Sequence, residues 1–278
     1  MAVRQRGYTG GASWSVEDIP YGTLARDVVR DDRRLFHLLA SASFIEITSH
    51  LYTQTLVDFF QGDDVVVDWL EQYWVSEELQ HGTALKRYVQ TAWPDFDWET
   101  AYQSFLADYG QLCTVDQLAA TRALEMVARC VVEAGTASFY RTLSICSREP
   151  VLSDLAARIS TDEVRHYKHF YRYFLRYRAS ERPSRAAVAR TLWNRTADID
   201  AEDALYAFKA IHLAGNPDAE FQKSDYEAYR RDISRRGKRE FPYEMAVKML
   251  LKPLDLPPMV GRAVVPAVTS ATRLFMLR

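Results

Sequence analysis

Two Glu-x-x-His pairs constrain this chain more than any other feature of its sequence. The first pair is Glu78 with His81, and the second is Glu163 with His166. Three residues are almost one turn of an α-helix, so each carboxylate shares a helix face with its imidazole. Such a face offers an oxygen and a nitrogen ligand to one cation, and this predicts two metal-binding helices.

The residues that share these two faces are mostly apolar. Trp74 and Leu85 accompany the first pair, and Ile159 and Phe170 accompany the second. A carboxylate on an apolar face is predicted to be buried, and a buried charge must be paired or must bind metal. The alternative is two solvated helix faces, because short motifs of this kind also recur by chance.

A third candidate ligand, Glu46, lies in the middle of a helix predicted over residues 31–61. It is the only acidic residue between Asp32 and Asp58, and Leu39 precedes it on the same face. A single central carboxylate on such a face is predicted to be buried with a partner.

The fourth ligand comes from a helix predicted over residues 115–147, which offers two glutamates. Glu133 follows two valines and has small and aromatic residues on its face. Glu125 stands beside Arg122 and Arg129, where an ion pair is a sufficient explanation. We therefore choose Glu133.

The chain is predicted to be all-α, because no segment alternates apolar and polar residues as a strand does. Gly62, Pro94 and Pro150 mark helix boundaries, and residues 114–117 have the pattern of a capping box. The predicted helices cover residues 31–61, 63–93, 97–109, 115–147, 150–177, 184–195, 201–213, 218–236, 242–252 and 258–275.

Four of these helices carry Glu, Glu-x-x-His, Glu and Glu-x-x-His in turn, at workable spacings for an antiparallel bundle. This is the inward-facing set of a ferritin-like di-metal bundle. We predict an N-terminal arm at residues 1–30, a ferritin-like four-helix bundle at 31–178 and a helical extension at 179–278 packed on the bundle. The predicted metal ligands are Glu46, Glu78, His81, Glu133, Glu163 and His166.

Composition excludes several other classes. The net charge of −2 gives no global reason to expect binding to nucleic acid or to a membrane surface. No apolar run reaches transmembrane length, and the first residues lack the pattern of a signal peptide. Three cysteines without a Cys-x-x-Cys motif argue against structural zinc and disulfides. A cytoplasmic protein is the expectation.

Several segments follow the motifs of a known family. Residues 74–82 have the pattern W-x-x-E-E-x-x-H-G, residues 162–166 have D-E-x-R-H, and residues 133–136 place Thr136 one turn after Glu133. These segments resemble the soluble acyl-carrier-protein desaturases of the ferritin-like superfamily, over roughly residues 30–178. The segment 46–56 resembles the first ligand helix of the family, but it reads Tyr-Thr-Gln-Thr where the family has Tyr-Gln-Thr.

The resemblance implies O2-dependent oxidation of a fatty-acyl chain by two iron ions, with manganese as an alternative metal. It also implies a narrow apolar tunnel beside the metals and a proton-delivering role for Thr136. The substrate would be carried by acyl carrier protein or by coenzyme A, and the electron donor would be ferredoxin-like. A homodimer is carried over from the family. Glu77 and Asp162, each directly before a ligand glutamate, are candidate acceptors for the ligand imidazoles.

Two basic segments, residues 168–185 and 230–239, could receive an acidic carrier, although such runs are usually solvated surface. Other ferritin-like di-iron oxygenases, such as a hydroxylase or an N-oxygenase, remain alternatives, as does a non-enzymatic metal-binding protein of the same fold. A ribonucleotide reductase small subunit is disfavoured because Leu85 stands where that family has its radical tyrosine. The lack of a Cys-x-x-Cys motif disfavours rubrerythrin.

Overall fold

The computed structural model describes residues 13–110, 118–197, 202–215 and 220–277. Every regular element in these ranges is helical, so the all-α prediction is confirmed for them. The predicted capping box at 114–117 and the first twelve residues of the arm lie outside the described residues.

Twelve α-helices are found in the described ranges. They are α1 Arg26–Val29, α2 Arg33–Phe60, α3 Asp64–Trp69, α4 Val75–Ala92, α5 Trp98–Tyr109, α6 Arg122–Cys146, α7 Pro150–Glu181, α8 Arg185–Ala197, α9 Glu202–Gly215, α10 Lys223–Gly237, α11 Tyr243–Leu251 and α12 Pro258–Leu277. None of them combines the length and the apolar character needed to cross a membrane.

Local chemistry explains where the long helices begin. The Asp32 carboxylate accepts a hydrogen bond from the Leu35 amide at the start of α2. Glu149 accepts from the amides of Val151 and Leu152 at the start of α7, where Pro150 occupies a position that needs no amide donor. Both boundaries agree with the helices that the sequence predicts.

Two helices begin later than predicted. The helix predicted over residues 115–147 begins at Arg122, because Thr121 is extended and its hydroxyl accepts from the Leu124 amide. The helix predicted from residue 218 begins at Lys223, after an extended Gln222. Side-chain capping and extended backbone, rather than the apolar periodicity, set these two boundaries.

The second long helix is not regular. α3 and α4 are joined without a break by a π-helical turn, Leu70–Trp74, which the sequence analysis did not predict. A π turn inserts one extra residue into a helix and rotates the side chains of the next turns about the helix axis, and such turns are frequent at functional sites. Here the turn directly precedes the segment that carries Glu77, Glu78 and His81.

α2 packs along α4, and α6 packs along α7, while α4 also contacts α7. Two buried apolar clusters result. One contains Phe44, Tyr88 and Trp98, and the other contains Phe60 and Phe174. α8 and α11 lie on α6, α9 lies on α2 and α5, and α12 lies on α11. The polar side chains of the candidate site come from four long helices, namely α2, the continuous helix formed by α3 and α4, α6 and α7.

Candidate metal centre

The four long helices bring all six predicted ligands together. α2 contributes Glu46, α4 contributes Glu78 and His81, α6 contributes Glu133, and α7 contributes Glu163 and His166. All six are buried, and the most exposed, Glu46, has only 8% of its surface accessible. The alternative of two solvated helix faces is therefore wrong.

The six side chains form two overlapping ligand sets. One set is Glu46, Glu78, His81 and Glu163, and the other is Glu78, Glu133, Glu163 and His166. Within each set, one ligand atom from every residue lies within 4.8 Å of the others. Glu78 and Glu163 belong to both sets, so each could contact cations on both sides.

Each histidine presents Nδ1 to the carboxylates of its set. His81 Nδ1 lies 3.2 Å from Glu163 Oε1 and 4.0 Å from Glu46 Oε2. His166 Nδ1 lies 3.0 Å from Glu78 Oε1 and 3.5 Å from Glu133 Oε2. The two imidazoles thus face one carboxylate cluster, and each comes from a different Glu-x-x-His pair.

The two predicted acceptors hold the other nitrogen of each imidazole, and they do so crosswise. His81 Nε2 on α4 lies 3.1 Å from Asp162 Oδ2 on α7, and His166 Nε2 on α7 lies 2.8 Å from Glu77 Oε2 on α4. Arg165 joins the two acceptors, at 2.9 Å from Glu77 and 2.8 Å from Asp162. Such outer hydrogen bonds fix the ring orientation and tautomer of a ligand histidine. Glu77 is itself buried, with only 4% of its surface exposed.

The chain before α1 also reaches this network. Trp14 is buried, and its indole nitrogen donates a 2.8 Å hydrogen bond to Asp162 Oδ2. Its ring lies parallel to that of His81, with centroids 6.1 Å apart. The position of Trp14 in the sequence gave no signal for this contact, because it lies 148 residues from Asp162.

Two hydroxyl groups donate to carboxylates of the cluster. Thr136 Oγ1 lies 2.7 Å from Glu163 Oε2 and 3.3 Å from the carbonyl of Val132 in its own helix, so the carboxylate is the closer acceptor. The buried Tyr140 hydroxyl donates a short hydrogen bond to Glu46 Oε1. The spacing of seven residues places Tyr140 on the helix face of Glu133, but no role at the site was predicted for it.

The geometry favours Glu133 over Glu125 as the candidate ligand from α6. The Glu125 carboxylate lies 2.9 Å from Arg129 Nε in a buried ion pair. It also accepts from the Ala119 amide at 2.7 Å. Glu125 belongs to neither ligand set.

The carboxyl groups of the cluster respond to burial in different ways. Burial raises the pKa of Glu46 and Glu78, and it raises the pKa of Glu133 to about 8. Burial opposes ionisation of Glu163 as well, but hydrogen bonds from His166 and His81 outweigh it and hold its pKa well below its usual range. Crowded buried carboxylates repel one another, so the cluster favours positive charge at its centre.

Burial alone would lower the pKa of the two imidazoles, but hydrogen bonds to carboxylates outweigh burial and raise it. Hydrogen bonds to Asp162 and Glu163 raise the pKa of His81 well above its usual range. The same kind of contact, to Glu133 and Glu163, does so for His166. Both rings thus lie in surroundings that stabilise a cation.

The donor atoms fit bound metal ions. Among the buried side-chain atoms that lack a well-formed hydrogen bond in the described part of the chain, four face the cluster: His81 Nδ1, His166 Nδ1, Glu133 Oε2 and Glu163 Oε1. An unpaired buried polar atom is costly, and metal coordination would satisfy it. Carboxylate oxygen with imidazole nitrogen suits iron, manganese and zinc.

Two cavities, of about 780 and 490 Å³, stand out in the described part of the chain. They lie along α11 and α12, and none of the six candidate ligands lines either of them. The apolar tunnel that the desaturase resemblance implies beside the metals is not among these two cavities. It stays a prediction.

Several cations of the two basic segments have partners within the chain. Arg176 pairs with Asp63, and Arg178 lies 2.8 Å from Asp255. In the second segment, Arg236 lies 2.6 Å from Asp32. These ion pairs reduce the charge that the segments offer to an acidic partner.

No protein-family model, no curated protein and no solved structure gives a significant match to this chain.

Proposed function

We propose that this chain is a ferritin-like, di-iron, O2-dependent oxidase and that it acts on a fatty-acyl chain. The observation that carries the metal part is the pair of overlapping ligand sets that share Glu78 and Glu163. Two carboxylates common to two four-residue sets are what a carboxylate-bridged di-metal site requires. Four buried glutamates would also neutralise two divalent cations.

Charge balance supports a pair of cations rather than one. Burial of four carboxylates around a single divalent ion would leave two uncompensated negative charges, which is costly in a buried site. Glu77 and Asp162 add two further negative charges, and Arg165 offsets one of them. The imidazoles then need no proton, because each can give Nδ1 to a metal and donate from Nε2 to its acceptor.

Bound ferrous ions would supply two electrons for the reduction of O2, and the protein groups around them would perform four tasks. Glu77 and Asp162 orient the imidazoles, and Arg165 holds these two acceptors in place. Tyr140 occupies one oxygen of Glu46, which leaves Oε2 to face the cluster. Thr136 holds a proton at Oγ1, 2.7 Å from Glu163 Oε2 and one helical turn after Glu133.

The proposal of a fatty-acyl substrate rests on the resemblance to soluble desaturases. No cavity found among the described residues supports it. Segments 74–82, 133–136 and 162–166 carry that part of the proposal. A hydroxylase or N-oxygenase with the same centre would share every residue named above. Substrate and metal are therefore tested separately.

The metal test uses the full chain, loaded with Fe2+ without oxygen and then exposed to O2. We expect two iron ions per chain and an absorbance change that depends on O2. Glu78→Gln removes one shared carboxylate and should lower iron content to less than half. Glu71→Gln, at an exposed position in the preceding π turn, is the matched control and should bind iron as the wild type does. One iron ion or none in the wild type would refute the di-metal proposal.

The substrate test supplies iron-loaded protein with a reducing system and a fatty-acyl thioester of acyl carrier protein or of coenzyme A. Mass spectrometry would find loss of two hydrogen atoms for desaturation and gain of one oxygen atom for hydroxylation. If iron is bound and O2 is consumed but both thioesters return unchanged, the acyl substrate is wrong and the oxidase remains. Two bound iron ions without O2 consumption would identify a non-enzymatic metal-binding protein.

A further inference from the structure

The larger of the two cavities is an open groove of about 780 Å³ between α7, α11 and α12. We call it the C-terminal groove. Its main lining residues are Val164, Arg239, Phe241, Tyr243, Met249 and Arg273. The groove lies outside the segment that resembles desaturases, except for Val164, and the candidate metal centre uses none of these residues.

The floor of the C-terminal groove is apolar. Tyr243 and Met249 are buried there, and Phe241 is partly exposed. The Tyr243 hydroxyl donates a 2.8 Å hydrogen bond to the Lys238 carbonyl, so its polar end already has a partner. What remains is a strip of ring and thioether surface that suits a hydrocarbon chain.

The rim of the groove is positively charged. Lys248 and Glu244 neutralise each other at 2.5 Å. Arg239 and Arg273 are exposed and have no acidic partner within the described part of the chain. α12, which carries Arg273, has no acidic residue over its whole length, so the charge at this rim is not compensated locally.

We propose that the C-terminal groove binds a single-chain anionic amphiphile, namely a long-chain carboxylate. Its carboxylate would lie between Arg239 and Arg273, since a guanidinium can donate two parallel hydrogen bonds to a carboxylate. Its hydrocarbon chain would lie along Phe241, Tyr243 and Met249. Apolar walls with a few placed polar groups are the usual composition of a small-molecule site.

This inference does not rest on the proposed oxidase. The groove and the metal centre lie on different faces of α7, because Val164 lines the groove and Glu163, its neighbour in sequence, points to the cluster. A ligand in the groove would contact α7 beside the cluster, but binding itself requires no metal. The two sites can therefore be examined independently.

The test is a calorimetric titration of the full chain with decanoate below its micelle-forming concentration, with a chelator present to keep carboxylate off any metal. The Arg239→Ala/Arg273→Ala variant removes both charges from the rim. Arg235→Ala on α10, an exposed arginine that does not line the groove, is the matched control. Decanol tests how much the hydrocarbon chain alone contributes to binding, and acetate tests how much the carboxylate alone contributes.

We expect decanoate to bind the wild type and the Arg235→Ala variant equally, and to bind the double variant about tenfold more weakly, as loss of charged hydrogen bonds predicts. Decanol should bind the wild type and the double variant alike, and acetate should bind neither. Met245→Trp, which adds bulk inside the groove without changing its charge, should weaken decanoate and decanol together.

Three results with decanoate would overturn the proposal. They are absence of decanoate binding to the wild type, equal affinity in the double variant, and unchanged affinity in Met245→Trp. A clear preference for decyl phosphate over decanoate would assign the groove to a phosphate-bearing ligand and would reject the carboxylate.

Discussion

Two hydroxyl groups of α6 donate hydrogen bonds to carboxylates of the ligand sets. Thr136 donates to Glu163 at 2.7 Å, and Tyr140 donates to Glu46. The two hydroxyls come from successive turns of α6. Their roles differ, because Glu163 belongs to both ligand sets and Glu46 to only one.

Thr136→Val should separate metal binding from oxidation. The change keeps the shape of the side chain and removes a proton donor that is not a ligand, so iron content should stay nearly the same. Productive oxidation should slow by about 10²-fold, the usual effect of one positioned proton-transfer group, and more peroxide should be released. The measurement is product formed per O2 consumed at equal iron loading. Unchanged coupling would make Thr136 a structural helix residue.

Tyr140→Phe should weaken the ligand set that contains Glu46. Without the hydroxyl, Glu46 loses the donor that fixes its rotamer, and loss of an outer partner usually costs about 10- to 100-fold in metal affinity. Titration with Co2+, followed by its visible absorption, would report affinity and coordination together. Tyr88→Phe is the matched control, because Tyr88 is also buried and donates to a buried carboxylate, Glu149, at 2.9 Å. Equal Co2+ affinity in the two variants would contradict the prediction.

At the scale of helices, the close approach of α2 and α4 depends on Gly82. A Cβ atom at this position would lie 2.5 Å from Ile47 Cγ1 and 2.6 Å from the Ile47 backbone nitrogen. Ile47 follows Glu46, and Gly82 follows His81, so the glycine sets the distance between two elements that carry ligands. A backbone atom cannot move aside as a flexible side chain can.

Gly82→Ala should therefore push α2 from α4, destabilise the fold and lower metal affinity together. Overpacking of a core typically costs about 1–3 kcal/mol in the free energy of unfolding. Gly110→Ala is the control, because its Cβ would meet only Leu51 Cδ1 at an ordinary 3.9 Å. Urea unfolding and Co2+ titration of both variants test this. A Gly82→Ala protein with wild-type metal affinity would show that α2 and α4 tolerate the displacement.

His37 connects α2 to the later helices. Its ring contacts Phe208 of α9 and Tyr229 of α10, at centroid distances of 4.7 and 5.9 Å. Burial lowers the pKa of His37 to about 4, and the nearby Arg33 and His212 act in the same direction. An unfolded chain would bind a proton at this residue near pH 6.5, well before the folded chain does.

The stability contributed by neutral His37 should thus be complete above about pH 6.5 and should fall as the pH decreases towards 4, because the unfolded state binds more protons in this window. At pH 5 the loss should be about 2 kcal/mol. Urea unfolding at pH 7 and pH 5 would show it as a smaller decrease in His37→Gln than in the wild type. The exposed His50 on the same helix gives the control, His50→Gln. An equal decrease in both variants would mean that other groups carry the pH dependence.

Helical periodicity and residue chemistry were enough to predict which side chains share a helix face. They did not predict which helices lie opposite one another. The two Glu-x-x-His pairs, Glu46 and Glu133 could be read from face composition alone. The π turn at Leu70–Trp74 could not, because its local sequence suits an ordinary helix. The crosswise hydrogen bonds of Glu77 and Asp162 were also hidden, since spacing shows which side chains share a face but not which helix lies opposite.

For the whole molecule, two apolar clusters border the carboxylate cluster. One contains Phe44 and Trp98, and the other contains Phe60 and Phe174. These clusters contain many fully buried aromatic and aliphatic residues. Packing, rather than metal, should therefore provide most of the free energy of folding.

Removal of metal should therefore weaken the fold without unfolding it. A ligand that binds only the folded state stabilises it by about 2.7 kcal/mol at a concentration one hundred times its Kd. For a chain of this size, a chelator should lower the Tm by about 5–10 °C and leave the helical circular dichroism signal unchanged at 25 °C. The His81→Ala/His166→Ala variant should fold and show no shift in Tm when metal or chelator is added. Loss of helical signal on chelation would instead mean that the centre holds the four long helices together. An equal metal-dependent shift in the double variant would mean that the metal binds elsewhere on the protein.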